Sequence, residues 1–160
     1  MTIDSRAFRD ALGRFATGVC VVTAVDGPER VIGMTVNSFS AVSLEPPLVL
    51  WAIQRDSDRF HAFENAGGFG ISVLSHEQEA LSTRFAQKDD YYLSPDSYRL
   101  GGGGQAVLNQ CICSFECRTW QLVEGGDHII MIGEVMEMDT GAGDEPLLFY
   151  GGQYRGLSKS

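Results

Sequence analysis

The histidines, cysteines and serines are the side chains here best able to do chemistry, and their spacing limits what that chemistry is. The three histidines are His61, His76 and His128. His61 falls inside an amphipathic segment and His76 in a first helical turn, and both are expected on the surface. His128 stands apart. It sits beside Asp127 where a glycine-containing turn meets an apolar run, and strand ends border the mouth of a barrel. An imidazole there can serve a ligand or be plainly structural. Cys111, Cys113 and Cys117 share odd numbering in a segment that reads as a strand, so they are expected on one face. An extended C-x-C-x₃-C does not wrap a tetrahedral ion, and no nearby His or fourth Cys completes a site. With Cys20 they are expected as core thiols in a reducing compartment, neither metal ligands nor disulfides. No serine lies in a nucleophile elbow or beside an evident base. The parts for hydrolysis or metal chemistry are missing, so an enzyme built this way needs a cofactor to carry the reaction.

The stretch from Gly33 to Ile53 is where such a group could be held. Gly33 to Ser43 alternates short polar side chains (Thr35, Asn37, Ser38, Ser40, Ser43) with apolar anchors (Met34, Val36, Phe39, Val42). Placed polar groups among apolar ones suit a pocket wall. The same composition also suits an edge strand followed by a Ser-rich turn. Pro46-Pro47 then gives way to an apolar run, Leu48 to Ile53. Pro47 fixes φ and lacks a donor, which places it at a strand entrance. Beyond the run, Ser57 or Asp58 can cap a helix reaching Ala66, with Arg55 and Arg59 beside its start. Unpaired N–H groups and the helix dipole there suit a phosphate. Ordinary capping with two solvated arginines fits equally.

The elements that position these residues follow from periodicity. Ser5 to Ala16 reads as a helix, capped by Asp4 or Ser5 and stopped by Gly18, with Phe8, Ala11, Leu12 and Phe15 on one face. Val19–Val25 and Arg30–Val36 read as a hairpin around Asp26-Gly27-Pro28. Phe69–Leu74 is a further strand, and Ser75-His76-Glu77-Gln78 has the capping-box form of a helix reaching about Phe85. Lys88–Leu100 reads as an irregular loop and Gly101–Gly104 as a flexible turn. Cys111–Val123 and His128–Met138 form a hairpin, followed by a turn at Thr140–Glu145 and a short strand at Pro146–Tyr150. Strands in hairpin order with few helices predict a mostly β protein, its antiparallel sheet closed into a barrel with short peripheral helices.

At 160 residues the chain is expected to be one domain, 1–160, with a substantial core. Its net charge of −9 argues against nucleic acid or an anionic membrane as partner. No apolar run approaches membrane-spanning length and the N-terminus lacks a signal pattern, so a cytoplasmic location is expected.

The pattern resembles the flavin reductase family with the FMN-binding split-barrel fold. The resemblance rests on Thr17–Thr23, Gly33–Phe39, Ser43–Leu50, Phe69–Leu74, Phe115–Cys117, Gly126–His128 through Gly133–Val135, Pro146-Leu147 and Tyr150–Arg155. The second and third blocks in this order are its most specific part. The resemblance implies an NAD(P)H:flavin oxidoreductase using NADH or NADPH and either FMN or FAD. It implies a flavin-dependent monooxygenase as partner, reached through diffusible reduced flavin, and a homodimer with its site near the subunit interface. Met34, Thr35, Val36, Asn37, Ser38 and Ser40 would line the flavin ring and ribityl chain, largely through backbone groups. Ile53, Gln54, Arg55 and Ser57 would pass the phosphate. Phe85 and the loop after it would close over the flavin. His128 would sit near the nicotinamide, and Tyr154 and Arg155 would border the site. Two rival readings remain at this level. One is a reductase that keeps its flavin and serves a corrin, metal complex or quinone; the other is a non-catalytic flavin- or haem-binding barrel.

Overall fold

A computed structural model describes residues 2–141, 143 and 145–158. Helix α1 (Ser5–Leu12) leads into strands β1 (Thr17–Gly18), β2 (Cys20–Val25), β3 (Val31–Val36), β4 (Ser40–Leu44) and β5 (Pro47–Gln54). Helix α2 (Phe60–Asn65), β6 (Gly68–Val73), a 3₁₀ turn at His76–Gln78 and α3 (Glu79–Phe85) follow. Strands β7 (Tyr98–Leu100), β8 (Ala106–Leu108), β9 (Cys113–Gly125), β10 (His128–Thr140), β11 (Leu148–Tyr150) and β12 (Gln153–Arg155) complete the order. The protein is thus mostly β, and every strand pair is antiparallel. No helix among the described residues is long and apolar enough to cross a membrane.

Seven strands form one sheet in the order β3-β2-β6-β9-β10-β5-β4. Its edge strands, β3 and β4, are consecutive in the chain and joined by Asn37-Ser38-Phe39 alone. A flat sheet of this size would hold its edges roughly 29 Å apart. The link from Val36 to Ser40 can span at most about 14 Å. The sheet must therefore roll until its edges approach, although no hydrogen-bonded ladder closes the seam. Register shifts between β9 and β10 at Ile132/Gly133 and Val135/Glu137, and between β4 and β5 at Ala41/Ser43, supply the bends. Gly133 is required at one of them, since a Cβ there would stand 2.5 Å from the Phe69 ring.

Both faces of β2 are buried, which is why its sequence does not alternate. Cys20, Val22 and Ala24 point into a core with Trp51, Phe63, Phe69, Ile71 and Met131. Val19 and Val21 point the other way, to Leu74, Phe85, Leu93, Leu108 and Leu147. Trp51 meets Phe63 and Phe69 edge-on at 4.8 and 5.7 Å, so α2 plugs the first core through Phe63. Each of these large side chains contributes about 1.5–3 kcal/mol by leaving water.

Several expectations hold. Asp4 caps α1, accepting from Ala7 N at 2.9 Å; Pro47 opens β5; and Ser75 and Gln78 form the capping box. Others need correction. α1 ends at Gly13 and not at Gly18, which instead pairs with Leu148 in β1. Its apolar face is not packed: Phe8, Leu12 and, just beyond the helix, Phe15 are 52%, 58% and 77% exposed. Cys111 precedes β9, so the shared strand face does not include it. The four-glycine run is not a loose turn. It closes the β7–β8 hairpin, and a carboxylate holds it: Glu116 Oε1 accepts from Gly103 N and Gln105 N, both at 3.1 Å. The expected turn at 140–145 falls partly outside the described residues.

All four cysteines are free. Burial pushes the Cys20 and Cys117 thiols up to about 12. A thiolate is the reactive form. A disulfide-based thiol reagent at mildly alkaline pH is therefore expected to leave Cys20 and Cys117 unmodified in the folded protein and to label all four after denaturation. Rapid native labelling of either residue, read by mass spectrometry, would contradict the buried placement.

Candidate functional site

The outer edge of β3 is the starting point. On this edge Val31 O accepts from Leu93 N at 2.8 Å and Gly33 N donates to Tyr91 O at 2.9 Å. Backbone groups alternate in direction along an antiparallel strand, so Thr35 is the next residue to face outward. Among the described residues no main-chain partner meets it there. A cavity of about 180 Å³ lies beside this free edge, lined by Val19, Thr35, Val36, Asn37, Ala86, Phe149 and Tyr154. Asn37 and Phe149 also border a wider groove of about 540 Å³, which runs under α1 past Arg9, Leu12 and Phe15 to Gly151 and Gly152.

Hydroxyl groups fix the wall. Thr35 Oγ1 donates to Ser82 O at 2.7 Å, and the Ser82 and Tyr154 hydroxyls share a bond of 2.6 Å. β3, α3 and β12 are thereby tied around one opening. Ser38 Oγ accepts from Ala52 N at 2.9 Å and lies 3.4 Å from Ala52 O, pinning the seam to β5. Ser40 is exposed, its hydroxyl turned to Ala41 O. Met34 is half-buried against the first core and Val36 lies within it.

A second group sits at the corner where β5 ends and β10 begins. Gln54 pairs with His128 across the ladder. Arg55 N donates to Asp127 O at 3.0 Å, Arg55 Nε donates to Gly126 O at 2.9 Å, and the guanidinium lies 3.3 Å from Glu124. His128 Nδ1 is 2.7 Å from Asp127 Oδ1, and this contact holds the Asp127 carboxyl below its ordinary range. The helix-start reading needs correction. α2 begins at Phe60 and has no side-chain cap, and Ser57 Oγ instead accepts from Arg59 N at 3.2 Å in the turn before it.

The structure gathers Thr35, Val36, Asn37 and Tyr154 at one cavity, and Gln54, Arg55, Ser57 and His128 at the separate corner where β5 meets β10. Ile53 is 1% exposed, so only its backbone can serve a ligand. Phe85 is likewise 1% exposed and packs in the second core. It is the chain after it, at Ala86, that borders the cavity. Arg155 lies on the far strand with its guanidinium 6.0 Å from the Tyr150 ring. Arg59 is buried and not solvated. Val19 and Phe149 were not anticipated; they are apolar strand-region residues, and nothing in their spacing marks them.

The apolar slot thus lies beside a free strand edge. The chain belongs to the flavin reductase family: the model of the flavin reductase like domain matches residues 12–158. It is 46% identical over 156 residues to the FMN reductase (NADH) SmoA of Agrobacterium fabrum, covering 98% of this chain and 88% of that one. It is 36% identical over 155 residues to the reductase subunit HsaB of a flavin-dependent monooxygenase of Rhodococcus jostii, covering 97% and 79%. Among solved structures it is similar to an NADH:FAD oxidoreductase of Streptomyces globisporus in complex with NAD and FAD fragments. The TM-score there is 0.89 at 34% identity, with 99% of this chain and 97% of that one covered.

Ser38→Ala leaves the half-buried Ala52 N without its partner. It is expected to lower stability by about 1–2 kcal/mol, read as an earlier urea midpoint. An unchanged midpoint would show that the hydroxyl does not pin the seam.

Proposed function

We propose that this protein is an NAD(P)H:flavin oxidoreductase that passes a hydride from NADH or NADPH to FMN or FAD and supplies reduced flavin to a flavin-dependent monooxygenase. The observation that carries this reading is the open Thr35 edge beside the apolar cavity. Main-chain donor and acceptor groups there suit the polar rim of a fused ring, while Val19, Val36 and Phe149 suit its faces. The residues present thus fit a flavin. When bound, the flavin supplies the redox chemistry.

The roles of this chain's own residues are positioning ones. Thr35 and Asn37 would hold the ring's edge, and Tyr154, fixed by Ser82, would hold one flank. Gln54, Arg55 and Ser57 would face the flavin phosphate, and His128, steadied by Asp127, would orient the nicotinamide. Excluding water and aligning the two reactants is the main gain such a site can offer. The passage from the cavity into the wider groove favours a flavin that exchanges over one held permanently.

The rolled sheet with its open seam is read as the split barrel of the family, in one domain over 1–160. A homodimer is supported by α1, which buries no residue of its own, and by Leu44 on the edge strand at 94% exposure. Four unbridged cysteines support a cytoplasmic location.

NADH and NADPH oxidation should be followed with FMN, with FAD and with no added flavin. Turnover that depends on added flavin is expected. Absence of turnover with either flavin would overturn the reading, and full turnover without added flavin would replace release by retention. His128→Ala is expected to lower kcat/KM for the nicotinamide about tenfold, a loss of roughly 1.4 kcal/mol. Full retention would remove His128 from the site.

A further inference from the structure

Arg59 is a buried cation at the meeting point of the cavity's two walls. It is 4% exposed. Its Nη1 donates to Gly33 O at 2.8 Å and to Phe85 O at 2.9 Å, and its Nη2 donates to Gln87 O at 2.8 Å. Gly33 lies two residues before Thr35 on β3. Phe85 and Gln87 flank Ala86, the cavity residue on the opposite side. One planar group therefore grips both walls from behind.

The surroundings make that grip specific. The guanidinium carbon sits 4.7 Å from the centroid of the Tyr91 ring, a cation–π contact in which a planar guanidinium can also stack. Tyr91 O in turn accepts from Gly33 N, so the same segment is held to β3 by its backbone and to Arg59 by its ring. Gly33 leaves no slack: a Cβ there would stand 2.9 Å from Leu93 Cδ1 and 3.1 Å from Phe85 Cδ1. The carbonyl gripped at Phe85 belongs to the last residue of α3, where a cation is favoured, and that at Gln87 to the chain just beyond the helix. The guanidinium holds its N–H groups in a fixed planar fork, and two of its nitrogens serve the three carbonyls. Asp58, at 3.6 Å from Nε, is its nearest carboxylate and is itself exposed.

We infer that Arg59 is a positioning residue for the flavin site, setting the width of the slot between Thr35 and Ala86 by strapping β3 to the chain that leaves α3. The inference rests on the flavin reading above. Arg59 does not touch the cavity, so its effect on a ligand passes through the two walls it joins. Arg84 and Arg30 brace the same loop farther out, at Asp90 and Tyr92, but neither reaches β3 through its backbone contacts.

The test compares the wild type with Arg59→Lys, which keeps the charge but loses the fork, and with Tyr91→Leu, which removes only the stacking ring. FMN and FAD dissociation constants are measured by quenching of flavin fluorescence, and hydrogen exchange is measured on the flavin-free proteins. Arg59→Lys is expected to weaken flavin binding at least tenfold. It should speed exchange at Gly33, Ala86 and Gln87 while β9 and β10 stay protected. Tyr91→Leu should give the same pattern to a smaller degree. An unchanged dissociation constant in Arg59→Lys, or faster exchange spread evenly over the whole sheet, would overturn the inference alone. A wild type that quenches neither flavin would overturn the functional reading, and the inference with it.

Discussion

Three residues must join two strands at opposite edges of a seven-stranded sheet, and that constraint shapes the rest of the molecule. Asn37-Ser38-Phe39 is too short to cross a flat sheet. The sheet rolls, the bulges in β9, β10 and β4 take up the curvature, and Gly133 lets the strand pass over Phe69. The roll encloses Trp51, Phe63 and Phe69 on one side of β2 and leaves its other side to be covered by α3 and the loop after it. The seam is then a place where backbone groups are neither paired in a ladder nor surrendered to bulk water. Orphaned main-chain groups are costly when buried, so such a seam is stable where side chains or a ligand attend to it. Ser38 attends to Ala52; Thr35 is left facing the cavity.

The hydroxyl groups of this region do less direct work on a ligand than their density implies. Thr35 and Ser38 spend their side-chain bonds on Ser82 and on Ala52. Ser82, wholly buried, is used by Tyr154. What these bonds leave exposed is the backbone they hold in place. A site made from main-chain edges tolerates change in its side chains provided the pins survive, which is consistent with a binding wall that reads as ordinary strand.

That explains how much could be read from the sequence. Elements with a local cause were legible: the capping box at Ser75, Pro47 at the head of β5, the β2–β3 hairpin and the antiparallel order. Thr35, Asn37 and Tyr154 were placed at the site through resemblance, and the cavity brings them together. Whatever depends on contacts distant in sequence was not legible. A solvated arginine and a buried one have the same neighbours in the chain, and only Tyr91, Gly33 and Gln87 in space separate them. The resemblance made Phe85 part of a cover over the flavin, yet its ring packs in the second core close to Gly33. The apolar stripe of α1 is legible in the sequence, but its exposure is not: the helix buries none of its residues.

Arg55 and Arg59 show how far burial separates two identical side chains. Arg55 faces Glu124 at 3.3 Å with both groups substantially exposed, and such a pair is worth at most about 1 kcal/mol in water. It can trade that partner for another anion at little cost. Arg59 has no such freedom. Desolvation lowers its proton affinity, with Asp58 and Tyr91 opposing the shift, and its three carbonyl partners are what make the buried charge tolerable. In a chain of net charge −9, the weakly paired cation at the surface is therefore the one free to change partners. The better-bonded one is committed to tying β3 to the chain that leaves α3.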